Sequence, residues 1–127
     1  MPCALARLGG TAVVENKANV EDVAVAVETT KTCDGWDVDH LCCGHLGRID
    51  VLLTAGQKLS RPELSQLARE RAAWVVIRAR RLGAYRLFAN LPPRVFCPGL
   101  FQGVAGIGYE LLRLANPEAL PSVLLWE

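Results

Sequence analysis

Residues 39–53 read Asp-His-Leu-Cys-Cys-Gly-His-Leu-Gly-Arg-Ile-Asp-Val-Leu-Leu. From the second cysteine onward the stretch returns near the end of the chain. Cys43-Gly-His-Leu-Gly-Arg-Ile-Asp-Val-Leu-Leu53 aligns without a gap to Gln102-Gly-Val-Ala-Gly-Ile-Gly-Tyr-Glu-Leu-Leu112. The shared pattern is Gly-x-x-Gly, four intervening residues, then Leu-Leu. In each copy the glycine pair falls where a loop gives way to helical spacing, and there glycine permits a sharp turn and close backbone packing. Units of one build predict stacked helical hairpins, which bury their faces against neighbouring units. A third, partial match sets Leu5-Ala-Arg-Leu8 against Leu111-Leu-Arg-Leu114. The glycine corresponding to Gly103 would fall before Met1, so the chain is expected to begin inside a repeat. The expected unit is one domain over residues 1–127.

Outward from the repeat, the rest of the chain reads as follows. Ala4 to Leu8 read as the last turn of a helix stopped by Gly9-Gly10. Asn19 is a candidate cap for a helix to about Thr30 whose apolar face is Val20, Val23, Ala24 and Val27. The first repeat copy predicts a helix from about Cys43 to Gln57, with Leu46, Ile49, Leu52, Leu53 and Leu59 in step. Ser60-Arg-Pro-Glu63 has the pattern of a capping box with proline in the first turn. It opens a helix faced by Leu64, Leu67, Ala68, Val75, Ala79 and Leu82, and Gly83 ends it. Tyr85 to Ala89 read as a short extended piece and Leu91 to Gly99, with three prolines, as a loop. The last helix is expected from Gln102 to Ala115, and the apolar tail from Pro121 is expected to pack back on the body.

Composition agrees with an all-α fold. Leu (19) and Ala (16) dominate 127 residues while aromatics are 6%, and leucine and alanine favour helix where strands prefer branched and aromatic side chains. At 51% apolar residues the chain is no candidate for disorder, and its length buries roughly two-thirds of the unfolded surface without staples. Fourteen basic and thirteen acidic residues leave a net charge of +1. No basic field is available for nucleic acid or anionic lipid. No apolar run approaches a membrane span, and the N-terminus lacks a signal-peptide core. A cytoplasmic location is therefore expected, in which the five cysteines (3, 33, 42, 43 and 97) are thiols or metal ligands rather than disulfides.

His40-Leu-Cys42-Cys43-Gly44-His45 sets four potential metal ligands in six residues, just ahead of a helix. Helix N-termini favour thiolates, and zinc accepts sulfur and imidazole. The spacing is not that of a zinc finger. Adjacent cysteines also fit a small core residue beside an idle thiol. Cys33 and Cys97 read as incidental, Asp37 and Asp39 as helix caps, and Asp50 and the arginines of the fourth helix as solvated faces. No phosphate loop, Ser-His-Asp arrangement or catalytic carboxylate pair is present, so no catalytic residue is assigned.

The stretch from Asp39 to Asp50 resembles the zinc-binding signature of the lanthionine synthetase C-like (LanC-like) cyclases. Residues 98–114, with Pro121-Ser-Val-Leu-Leu-Trp-Glu127, look like the C-terminus of the bifunctional class II synthetases called LanM. The resemblance implies a partial α/α toroid with zinc at its centre, and a reaction in which a precursor-peptide cysteine adds to a dehydrated serine or threonine. It assigns Cys42 and Cys43 as two zinc ligands and resembles the members with three cysteine ligands. The family's third ligand lies in a Trp-Cys-x-Gly motif that does not occur here, and its acid–base histidine also belongs upstream. Cys3 and His45 are the candidates for the open ligand position. The expected partners are a precursor peptide or an upstream half of the cyclase; the alternative function is a non-catalytic helical interaction module or split-enzyme partner.

Overall fold

The computed structural model describes residues 17–33, 37–92 and 94–125. Among them are four helices: α1 (Lys17–Thr32), α2 (His45–Lys58), α3 (Pro62–Leu82) and α4 (Val104–Ala115). No strand forms among the described residues, so the fold is all-α as composition predicts. None of the helices there is long and apolar enough to cross a membrane. The expected helix end at residues 4–8 lies outside the described residues.

The central helix is α2. It packs chiefly on α3, and also on α1 and α4. Leu46, Ile49, Leu52 and Leu53 are all buried, as their spacing predicts, and so are Ala55 and Gly56. On α3 the buried line is Leu64, Ala68, Ala72, Val75 and Ala79. Small residues recur on this line, which lets the two helix axes approach. Fully burying a leucine or valine is worth about 1.5–3 kcal/mol, so the α2–α3 seam dominates the core. Leu124 and Leu125 of the tail pack against the same core.

Several local expectations are corrected. The α1 helix begins two residues before Asn19, and only Val23 and Val27 of its expected face are buried; Val20 and Ala24 are exposed. Leu82 is exposed as well. The capping box before α3 does not form: Arg61 is the N-cap, Pro62 takes the first helical position, and Ser60 has φ 53°. Proline favours that first position and holds the residue before it out of helical geometry. Glu63 therefore pairs with Arg61 Nε at 2.7 Å instead of reaching back to a serine. At the other end of α3, Gly83 is the left-handed cap (φ 73°) that the sequence predicts. Residues 85–88 form no ladder; the Asp39 N–H donates to the Arg86 carbonyl at 2.6 Å.

The internal repeat is structural. Gly44 and Gly103 are the N-caps of α2 and α4, both in extended backbone. The first N–H of each helix donates to the same relative carbonyl, His45 to Val38 at 2.8 Å and Val104 to Cys97 at 2.9 Å. A Cβ on Gly47 would run into the Leu41 carbonyl, and one on Gly106 into the Leu100 carbonyl. The two loops also meet, since the Cys42 N–H donates to the Phe101 carbonyl at 2.8 Å.

Candidate functional site

Cys42 and Cys43 sit in the turn that leads into α2, and both side chains are exposed. Neither is a core residue, so the reading of one cysteine as a small buried hydrophobe falls. Their backbone is fixed on both sides. The Cys42 N–H is tied to the α4 loop, and the Gly44 N–H donates back to the His40 carbonyl at 3.1 Å. The two sulfurs therefore project from a rigid corner at the positive end of a helix, where anions are favoured.

His40 is the third member of this corner. It is nearly buried. Its Nδ1 accepts the Cys43 N–H at 3.5 Å, and its Nε2 lies 4.0 Å from Cys43 Sγ. With Nδ1 accepting, the proton of the neutral ring belongs on Nε2, facing the sulfur. Burial holds the imidazole below its ordinary pKa. Burial likewise pushes the Cys43 thiol up, and the neighbouring Cys42 sulfur adds to the rise. A divalent cation beside the pair would supply the positive charge that offsets this rise at Cys43. On this chemistry the donor pair fits zinc. Among the described residues no cluster of three or more His, Cys, Asp or Glu side chains forms around it.

His45 does not join the pair. Its ring stands edge-on to Trp74 of α3 at 5.4 Å, and its Nε2 lies 3.6 Å from Asp37. Burial lowers its pKa, with Arg48 and Arg78 adding to the effect. It lines a cavity of about 260 Å³ together with Cys33, Arg48, Ile49, Arg71 and Trp74. Cys3 lies outside the described residues. Cys33 is exposed near the end of α1, and Cys97 is half-buried in the loop before α4.

The charged residues around the corner depart from expectation. The side chains of Asp37 and Asp39 cap no helix. Asp39 is fully buried, pairs with Arg78 and accepts the Arg86 N–H at 2.7 Å. Arg78 also reaches Asp37 at 2.7 Å and lies over the Trp74 ring at 4.6 Å. This cluster pins the residues just before the thiols to α3. The other α3 arginine with a structural task is Arg71, which donates to the carbonyls of Thr30 and Lys31 at the end of α1. Asp50 is not solvated beside Arg48. It is buried, paired with Arg113 at 2.6 Å and accepting Ser122 Oγ at 2.6 Å. Sequence reasoning missed the His40–Cys43 contact, although the three-residue spacing within a turn was its visible signal.

None of the curated proteins and none of the solved structures matches the chain. One family does: the model described as lanthionine synthetase C-like protein matches residues 3–125, nearly the whole length. The match spans both glycine-pair loops, the paired thiols at the head of α2 and the tail that packs on the core, and on that extent the chain belongs to the lanthionine synthetase C-like family.

Proposed function

We propose that this chain carries the two-cysteine part of a zinc-dependent lanthionine cyclase centre, of the kind found in class II LanM synthetases, and that it acts on the cysteines of a dehydrated precursor peptide. The observation that carries this reading is the exposed Cys42–Cys43 pair, held rigidly at the start of α2 in a chain of the cyclase-like family. A bound zinc ion supplies the positive charge that lowers a thiol's pKa toward neutrality, making it a nucleophile for conjugate addition. The chain's own residues supply the rest of what is proposed. Cys42 and Cys43 are the sulfur donors. His40 orients the Cys43 sulfur through Nε2 and its backbone through Nδ1. The third donor is proposed to be Cys3 or a cysteine of an upstream cyclase half, since the chain contains no Trp-Cys-x-Gly motif.

The test is zinc content per chain on reduced protein, measured beside a Cys42→Ala, Cys43→Ala variant. Near-stoichiometric zinc that disappears in the variant supports the reading; no zinc in either protein, alone or with an upstream cyclase half supplied, refutes it. A second reading, a helical module that docks on a partner, is favoured by the exposure of Phe96 before α4 and Leu112 on it. It would stand alone if zinc were absent and the chain formed a defined complex.

A further inference from the structure

Cys43 has a second boundary besides His40. After the Gly83 turn the chain runs past the thiol corner, and residues 87–91 leave an open groove of about 340 Å³ beside it. Val38, Leu87, Phe88 and Leu91 line it together with Cys43 and His40. The polar group among the remaining lining residues is the Asn90 amide, and no described lining residue is acidic, a lysine or an arginine. The nearby charges lie elsewhere: Asp37 and Arg86 line a separate cavity that shares the Phe88–Leu91 segment. Cys42, although adjacent in sequence, does not line the groove. The two thiols are thus inequivalent.

The size of the groove sets what it takes. A cavity of roughly 150 Å³ holds a benzene ring, so this one accommodates a leucine- or phenylalanine-sized side chain with part of its backbone. Neighbouring residues of a peptide lie about 3.8 Å apart at Cα. A peptide cysteine brought to the Cys42–Cys43 pair therefore places its sequence neighbour within reach of the groove. An unpaired charge entering such a surface would lose its hydration without compensation.

We propose that this groove is the specificity subsite for the residue next to the reacting cysteine of the substrate peptide, accepting neutral aliphatic or aromatic side chains and rejecting acidic and basic ones. The proposal deepens the cyclase reading and rests on it for the identity of the peptide. The groove's selectivity can nevertheless be measured without metal.

The experiment is disulfide exchange on the full chain. Probe disulfides of 2-mercaptoethanol with phenethyl, isobutyl, carboxyethyl or aminoethyl thiols are equilibrated with a Cys42→Ser protein. The Cys43 thiolate displaces 2-mercaptoethanol and keeps the probe thiol, and peptide mapping by mass spectrometry reads the occupancy. A Cys43→Ser protein reports Cys42 in the same way. We expect phenethyl and isobutyl groups to be retained on Cys43 about tenfold over the two charged groups, with no such preference on Cys42. Leu91→Asp, at a half-exposed position, is expected to shift the Cys43 preference toward aminoethyl. Equal retention of all probes on Cys43, or the same preference on Cys42, overturns the proposal. A protein that holds no zinc yet shows the Cys43 preference sinks the cyclase reading alone. One that holds zinc and shows no preference sinks the subsite alone.

Discussion

Replacing Glu110 by glutamine should stabilise the protein by an amount that grows with pH. Glu110 on α4 and Asp50 on α2 are both buried, and Arg113 is the cation beside them. Arg113 Nη1 is committed to Asp50 at 2.6 Å and stands 3.8 Å from Glu110 Oε1, which has no hydrogen-bond partner. Burial, with the Asp50 charge next, pushes the Glu110 carboxyl from 4.5 up to about 9. The folded protein therefore holds a proton that the unfolded chain releases above about pH 4.5. The folded state binds more protons throughout that window, so stability falls as pH rises through it.

Each pH unit in the window costs about 1.4 kcal/mol, or about 3 kcal/mol between pH 5.5 and 7.5. Against a total of roughly 5–15 kcal/mol for a small domain, that is large. Glutamine keeps the shape and a neutral donor toward Asp50 but has nothing to titrate. Urea unfolding followed by circular dichroism, at half-unit steps from pH 5.5 to 8, should show the difference between variant and wild type rising with that slope. His40 and His45, whose pKa burial lowers, act in the opposite direction below about pH 6.5, and they cancel in the difference. Parallel profiles for the two proteins would mean that Glu110 is ionised in the fold and would refute the reasoning.

Two other predictions rest on packing and pairing. Gly47→Ala and Gly106→Ala each drive a Cβ into a loop carbonyl and should cost about 1–3 kcal/mol. Gly108→Ala, on an exposed stretch of α4 with nothing within 4 Å, should gain about 0.5–1 kcal/mol; thermal melts that move all three the same way would contradict the close approach. Arg78→Met leaves the fully buried Asp39 carboxylate without its cation. It should cost about 3 kcal/mol and speed amide exchange across residues 38–45, whereas unchanged exchange there would show that the ion pair does not hold the thiol corner.

The parts of this molecule that were legible in its sequence are those set by local rules. Leu46, Ile49, Leu52 and Leu53 announce the buried face of α2 by spacing alone, Gly83 announces the end of α3, and the two glycine pairs announce the repeat. The pairings across sequence distance were not legible. Asp50 looks solvated beside Arg48, and its true partners, Arg113 and Ser122, lie in α4 and the tail. Asp39 looks like a cap until α3 brings Arg78 to it. Ser60 and Glu63 have the letters of a capping box, but Pro62 between them decides where the helix starts. In each case a nearest-neighbour rule lost to a contact that only the folded chain supplies.

The glycine pairs also explain why the thiols are available. A helix start normally uses a capping side chain to satisfy its first N–H groups. Neither α2 nor α4 has one. Because Gly44 and Gly47 let the loop lie against the helix, the carbonyls of Val38 and Asp39 take the His45 and Leu46 N–H groups instead. The same arrangement at Gly103 and Gly106 places the Phe101 carbonyl where the Cys42 N–H can reach it. Capping is thus done by backbone, and the side chains of the turn are released from it. Cys42 and Cys43 occupy that turn, rigid in their main chain and exposed at their sulfurs. A helix capped in the ordinary way, by a serine or aspartate in place of Gly44, would put a Cβ 2.6 Å from the Val38 and His40 carbonyls and push apart the corner that holds them.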